Sequence, residues 1–146
     1  MDQGFLHLHN VTRWIVLLLL AWSLVRAARA YIRRDRDIAP KFLLPLVIAL
    51  DFQLLIGIAV YLTSPMVRAF LENPGWAMGN QPIRYVGVEH PSLMLMSIIL
   101  AHVTHVRIKR ATDEDTRRRR ALYGLVIVTI LVAVAVPWSR PLFPGL

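Results

Sequence analysis

The sequence predicts an all-α integral membrane protein: an up-down-up-down four-helix bundle with both termini on the outer, periplasmic side. Three observations predict it. The 146 residues are 56% hydrophobic, more apolar than a soluble domain of this size. That apolarity is gathered into four runs, 11–24, 42–62, 91–106 and 121–137, each approaching the roughly 20 residues that cross about 30 Å of hydrocarbon. Thirteen of the seventeen Lys and Arg lie in two stretches, 26–41 and 107–120. The other four (Arg13, Arg68, Arg84 and Arg140) lie at or near the opposite side. Basic connections stay cytoplasmic, so these two loops belong inside and the termini and the middle loop outside.

Each element follows from this layout. A single domain, 1–146, carries spans over about 10–32, 42–63, 90–108 and 119–138, with 64–89 as the outer loop. The first run is read as a span and not as a cleavable signal. No basic region precedes it, and it runs into Arg26, Arg29, Arg33 and Arg34 instead of a small-residue cleavage site. The RRDRD segment and Pro40 form a solvated turn before the second span. The middle loop opens with an amphipathic MVRAFLE turn, then a Gly/Pro/Asn-rich stretch, then IRYVGVEHP. Trp76 and Tyr85 in it suit a membrane interface. The acidic Asp113, Glu114 and Asp115 favour a helix start ahead of the fourth span.

Composition excludes several functions. With no cysteine, disulfides, iron–sulfur clusters and thioether-bound haem are ruled out. The net charge of +8 is concentrated in two loops beside apolar spans, which points to the lipid bilayer and not to nucleic acid. The run Arg117–Arg120 is expected at anionic headgroups. No nucleophile–base pair, phosphate loop or zinc-protease helix is present. His90, Met94 and Met96 are soft donors suited to copper, but Met94 and Met96 lie two residues apart and point to different sides of a helix.

The histidines are the candidate site. His7 and His9 precede the first apolar run, His90 opens the third, and His102 and His105 lie near its other end. Ionisable side chains at membrane depth are functional candidates by default. The first and third spans run the same way, so His9 and His90 fall at matched depth. In a bundle wound in sequence order those spans are diagonal and can grip a flat macrocycle from both faces. Two histidines on one haem iron make a low-spin electron carrier. Arg13, four residues after His9, shares its helix face and would meet a haem propionate, with Trp14 beside it. The alternative is structural: His90 before Pro91 as a cap-like residue, and the rest as interfacial anchors. At the inner side, Asp51 and His102 fall at similar depth. Together they make a buried polar pair fixing helix register, or a proton-relay or quinone-headgroup site. His105, beside the basic loop, reads as a headgroup-level residue. Gly57 is read as a close helix-packing position.

The strings HNVTRW at 9–14, QLLIGIAVYLTSP at 53–65, MGN at 78–80, IRYVGVEHP at 83–91 and RIKRA at 107–111, with Pro137-Trp138, span nearly the whole chain. In that order they resemble small four-span bacterial membrane proteins labelled cytochrome b-like. The resemblance implies a b-type haem in the bacterial inner membrane and marks His9, Arg13, Gln53, Glu89 and His90. Asp51 departs from it, standing where histidine is common in the group, and carboxylate is a poor axial ligand for a low-spin haem. Two expectations follow. One is a haem b electron-transfer protein or subunit of a quinone-linked chain, with His9 and His90 as axial ligands. The other is a haem-free accessory subunit of a larger respiratory or photosynthetic membrane complex.

Overall fold

The computed structural model describes residues 3–34, 38–39 and 41–138. Its helices are α1 (Gln3–Arg33), α2 (Leu44–Thr63), α3 (Pro65–Glu72), α4 (Pro74–Gly79), α5 (Gln81–Arg84), α6 (His90–Lys109) and α7 (Glu114–Ala135). A π-helical segment, Tyr85–Glu89, joins α5 to α6. Among the described residues there is no strand. Three helical stretches are long and apolar enough to cross a membrane: Gly4–Arg33, Leu44–Thr63 and Gln81–Lys109. Helix α7 spends its first two turns on Glu114–Arg120 and has fewer apolar residues left in its described part.

The four long helices share one core, and their buried positions show why. In α1 they are Val16, Leu20, Ser23, Ala27 and Ala30; in α7 they are Ala121, Leu125, Val128, Val132 and Ala135. Both series step by four and three, the 3.5-residue period of helices that cross at a shallow angle. Leu43 just before α2 and Leu46, Leu50 and Gln53 within it keep the same rhythm. Small residues on α1 and α6 (Ser23, Ala27, Ser97 and Ala101) are almost fully buried and let backbones approach.

Pairwise contacts run α1 to α2, α2 to α6, α6 to α7 and α7 back to α1, so α1 and α6 are diagonal. Cross-links at both ends give the directions. Gln53 in the middle of α2 meets Thr12, and Gly57 one turn further along α2 lies against His9, earlier in α1. Tyr85 before α6 meets Ala135 at the end of α7, and Arg120 early in α7 meets Arg107 late in α6. Sequential neighbours are therefore antiparallel.

Boundaries differ from the sequence expectation in instructive ways. Helix α1 begins at Gln3, so His7 and His9 sit inside it and not ahead of it. Its end is marked by Arg34 in the left-handed region, φ 51°, a common way to stop a helix. The segment 64–89 is mostly helical turns and not open loop, with Asn73 and Asn80 side chains accepting from backbone N–H groups as caps. His90 is not a helix cap: its backbone is helical, φ −60° and ψ −52°, because the helix already runs through the π segment. Asp113, by contrast, caps α7 by accepting from the Thr116 N–H at 2.8 Å. Of the expected first turn, Asp35–Asp37 and Pro40 lie outside the described residues, as does Arg140.

Candidate functional site

A polar cluster occupies the end of the bundle away from the basic connections, where α1 and α6 begin and α2 and α7 end. Its anchor is Gln53, which is 5% exposed. The Gln53 side-chain nitrogen donates to the His9 backbone carbonyl at 2.9 Å and lies 3.2 Å from His9 Nδ1. Its oxygen pairs with the Thr12 hydroxyl, which also reaches the Leu8 carbonyl at 2.8 Å. These contacts fix the sense of the amide, since reversing it would set an oxygen against the His9 carbonyl. An amide nitrogen only donates, so Nδ1 of His9 accepts and the imidazole proton sits on Nε2.

His90 is held from the other side. Its Nδ1 lies 2.8 Å from the carbonyl of Ala135, one of the last carbonyls of α7 and therefore without a helical partner. A carbonyl only accepts, so this nitrogen bears the proton and Nε2 of His90 keeps its lone pair. The same carbonyl accepts from the Tyr85 hydroxyl at 2.5 Å. The two imidazole centres are 6.3 Å apart with their planes at 79°. The matched depth expected from the sequence is thus found, and each ring carries the opposite tautomer.

The backbone makes room for this arrangement. A Cβ on Gly57 would come within 3.3 Å of His9 Cε1, so the glycine lets α2 pass close to the ring. The π segment widens the helix just before His90 and frees carbonyls, a feature frequent at functional sites. The Gly87 carbonyl is taken by the Tyr61 hydroxyl at 3.0 Å. A Cβ at Gly87 would fall 2.6 Å from the Phe70 ring, so α3 packs directly on this segment. Arg84 and Glu89 bridge it at 2.5 Å. Arg13 is buried at 8% exposure, with its guanidinium 5.8 Å from the Trp14 ring centre.

Toward the basic end the expected pair forms: His102 Nε2 lies 2.8 Å from Asp51 Oδ1. It is not buried, which corrects the expectation. The two side chains are 47% and 46% exposed, on the outer flank of α2 and α6. His105 is partly buried, and its Nδ1 has no hydrogen-bond partner among the described residues.

These positions test the expected haem. A metal bonded to two imidazole nitrogens at roughly 2 Å each sets their ring centres roughly 6 Å apart, and the observed 6.3 Å agrees. His90 has the outer hydrogen bond typical of a ligating histidine. His9 does not fit: Gln53 occupies one nitrogen as donor and leaves the proton on the other, so no lone pair remains for a metal. Nor do the clefts of about 380 and 360 Å³ border either ring; both lie toward the basic end. Among the described residues no cluster of three metal-binding side chains occurs. As they stand, these residues do not fit a macrocycle.

His9, His90, Arg13, Asp51 and His102 stand out in the sequence as candidates, with Gln53 beside Asp51 in the second span. The structure adds Thr12, Tyr61 and the Ala135 carbonyl to the outer three of these and Gln53. Thr12 is legible in hindsight as one helical turn from Leu8 and beside His9; a backbone carbonyl leaves no sequence signal. Compared with protein families, with curated proteins and with solved structures, the chain matches none.

Proposed function

We propose that this chain is a haem-free accessory subunit of a larger redox complex in the bacterial inner membrane. Its four helices span the bilayer with both termini outside and the basic connections inside. The Asp51–His102 pair carries the reading. An acid–imidazole pair about half exposed on the outer flank of a bundle, some eight residues into α2 and at hydrocarbon depth, is costly against lipid. Intramembrane ionisable groups normally face a bundle interior or a water-filled cavity. A partner helix laid on the α2/α6 flank supplies that interior. The cytochrome b-like resemblance supports a redox complex as the host. The outer histidine cluster then acts structurally, tying α1 to α2 and α6 to α7 through buried hydrogen bonds.

The test is site-specific photo-crosslinking in membranes from Leu55 and Ile99, one helical turn from Asp51 and His102 on the same helix faces and 66% and 55% exposed. One discrete protein adduct is expected, lost in Asp51→Leu/His102→Leu and absent from Leu18 on α1, which is 70% exposed. Adducts to lipid alone would overturn the reading.

A second reading, the b-type haem electron carrier with His9 and His90 as axial ligands, is favoured by the 6.3 Å separation of the two imidazoles. Absorption spectroscopy of the detergent-purified protein separates the two. The accessory reading expects no visible band. A reduced α-band in the b-type region that vanishes in His90→Ala would establish the haem instead.

A further inference from the structure

The last three turns of α6 and the first four of α7 line a cleft of about 360 Å³ toward the basic end of the bundle. Its walls are two facing stripes. On α6 they are Leu100, Val103 and Arg107; on α7 they are Arg120 and Ile127, with Arg119 at the mouth. Spacings of three, four and seven put each set on one helix face. Because the helices are antiparallel, the arginines of both stripes gather at one end and the aliphatic residues at the other. Seven residues separate Leu100 from Arg107, so the apolar trench runs roughly 10 Å inward from the basic mouth at 1.5 Å per residue.

The mouth is fixed in place. Arg120 Nη1 donates to the Arg107 carbonyl at 2.8 Å, tying the two helix ends, while the Arg107 guanidinium has no ion pair among the described residues. Arg119 is only loosely engaged, 3.2 Å from Asp115 and 63% exposed. At the floor, Gly124 lets α7 reach Thr104, whose Cγ2 lies 2.4 Å from where a Cβ would stand. Val103 and Ile127 are 43% and 50% exposed along the trench. Three guanidinium groups above an apolar groove call for a ligand that is an anion at one end and a hydrocarbon chain at the other.

We propose that this α6/α7 cleft is a binding site for an anionic phospholipid, its phosphate held by Arg107, Arg119 and Arg120 and one acyl chain laid between Val103 and Ile127. Guanidinium groups suit phosphate because their fork of N–H donors matches its oxygens. Basic pockets between membrane helices at the cytoplasmic face hold acidic headgroups in this way.

Native mass spectrometry of the detergent-solubilised protein, with phosphatidylglycerol or phosphatidylcholine added, tests the site. Retention of the anionic lipid should exceed that of the zwitterionic one on the order of a hundredfold, as three basic contacts imply. Arg107→Gln/Arg119→Gln/Arg120→Gln should abolish the preference, and Lys at the three positions should restore part of it. Val103→Trp, which fills the trench without touching the charge, should also weaken retention. Inorganic phosphate in excess should not displace the lipid. The proposal fails if both lipids are retained equally or if the triple Gln variant keeps its preference. It also fails if Gln at Arg26, Arg29 and Arg33, lining the other basic cleft, removes the preference equally. Displacement by phosphate with Val103→Trp silent would mark a free-anion site and overturn the lipid assignment.

Discussion

The Gln53 side-chain nitrogen sits 3.2 Å from Nδ1 of His9 and 2.9 Å from the same residue's backbone carbonyl. One amide thereby binds both the ring and the backbone of a residue 44 positions away. It sets which imidazole nitrogen carries the proton, and through that whether His9 can ligate a metal. Two imidazoles at a metal-compatible separation are insufficient when the groups behind them assign one nitrogen to the wrong role.

Imidazole ¹⁵N spectra of labelled protein in micelles will therefore show two different histidine tautomers in this cluster. His9 is expected with its proton on Nε2 and His90 with its proton on Nδ1. Gln53→Leu removes the contacts that impose the first assignment and leaves His9 Nδ1 unpartnered in a buried setting. A loss of about 1–3 kcal/mol is expected for an unsatisfied buried polar group, read as a lower unfolding midpoint. Unchanged stability, or the same tautomer at both rings, would contradict the arrangement.

What the sequence disclosed and what it concealed follow one physical division. Periodicity and charge placement made the long apolar helices and the antiparallel order legible, because burial in a bundle demands the 3.5-residue rhythm that Val16, Leu20, Ser23 and Ala27 display. The pairing of Asp51 with His102 was legible from depth alone, because helical rise is fixed. Its exposure was not: depth says how far along a helix a residue lies, and rotation about the axis depends on which neighbours win the core. The helical character of 64–89 was obscured by its Gly, Pro and Asn content. Those residues act there as first-turn prolines and asparagine caps of short helices, roles the same letters share with turns. The π segment had no signal at all, since one extra residue in a turn leaves composition unchanged.

Asp113 gives the pH dependence of the basic end. The Thr116 backbone N–H, then its side chain, hold the Asp113 carboxyl below its ordinary range. A carboxyl with a depressed folded pKa contributes stability above its unfolded value and loses it as pH falls through the folded value. Helix α7 should accordingly begin to fray at its start as pH drops below roughly 4, the ordinary carboxylate value. Amide hydrogen exchange at 114–118 measures this directly. Asp113→Asn, which still caps but does not titrate, should keep the protection and reduce the acid dependence to the part carried by Asp115 in its pairing with Arg118. Asp113→Ala should lose protection at neutral pH as well.

Gly124 and Thr104 form a close contact between α6 and α7. A Cβ at Gly124 would lie 2.4 Å from Thr104 Cγ2 and 2.5 Å from its hydroxyl. Thr104 is 3% exposed, so it has no solvent-facing rotamer to escape into, and the helices must part if the glycine gains a methyl. Overpacking of this kind costs roughly 1–3 kcal/mol, and Gly124→Ala should lower the unfolding midpoint despite alanine's better helix propensity. Thr104→Ala removes the two nearest atoms and leaves the third at 3.0 Å. The double variant should therefore recover much of the loss, a non-additive result diagnostic of direct contact. Additive effects would place the strain elsewhere. Because this contact floors the α6/α7 cleft, Gly124→Ala should also change lipid retention there, and the Thr104→Ala partner should reverse that change together with the stability.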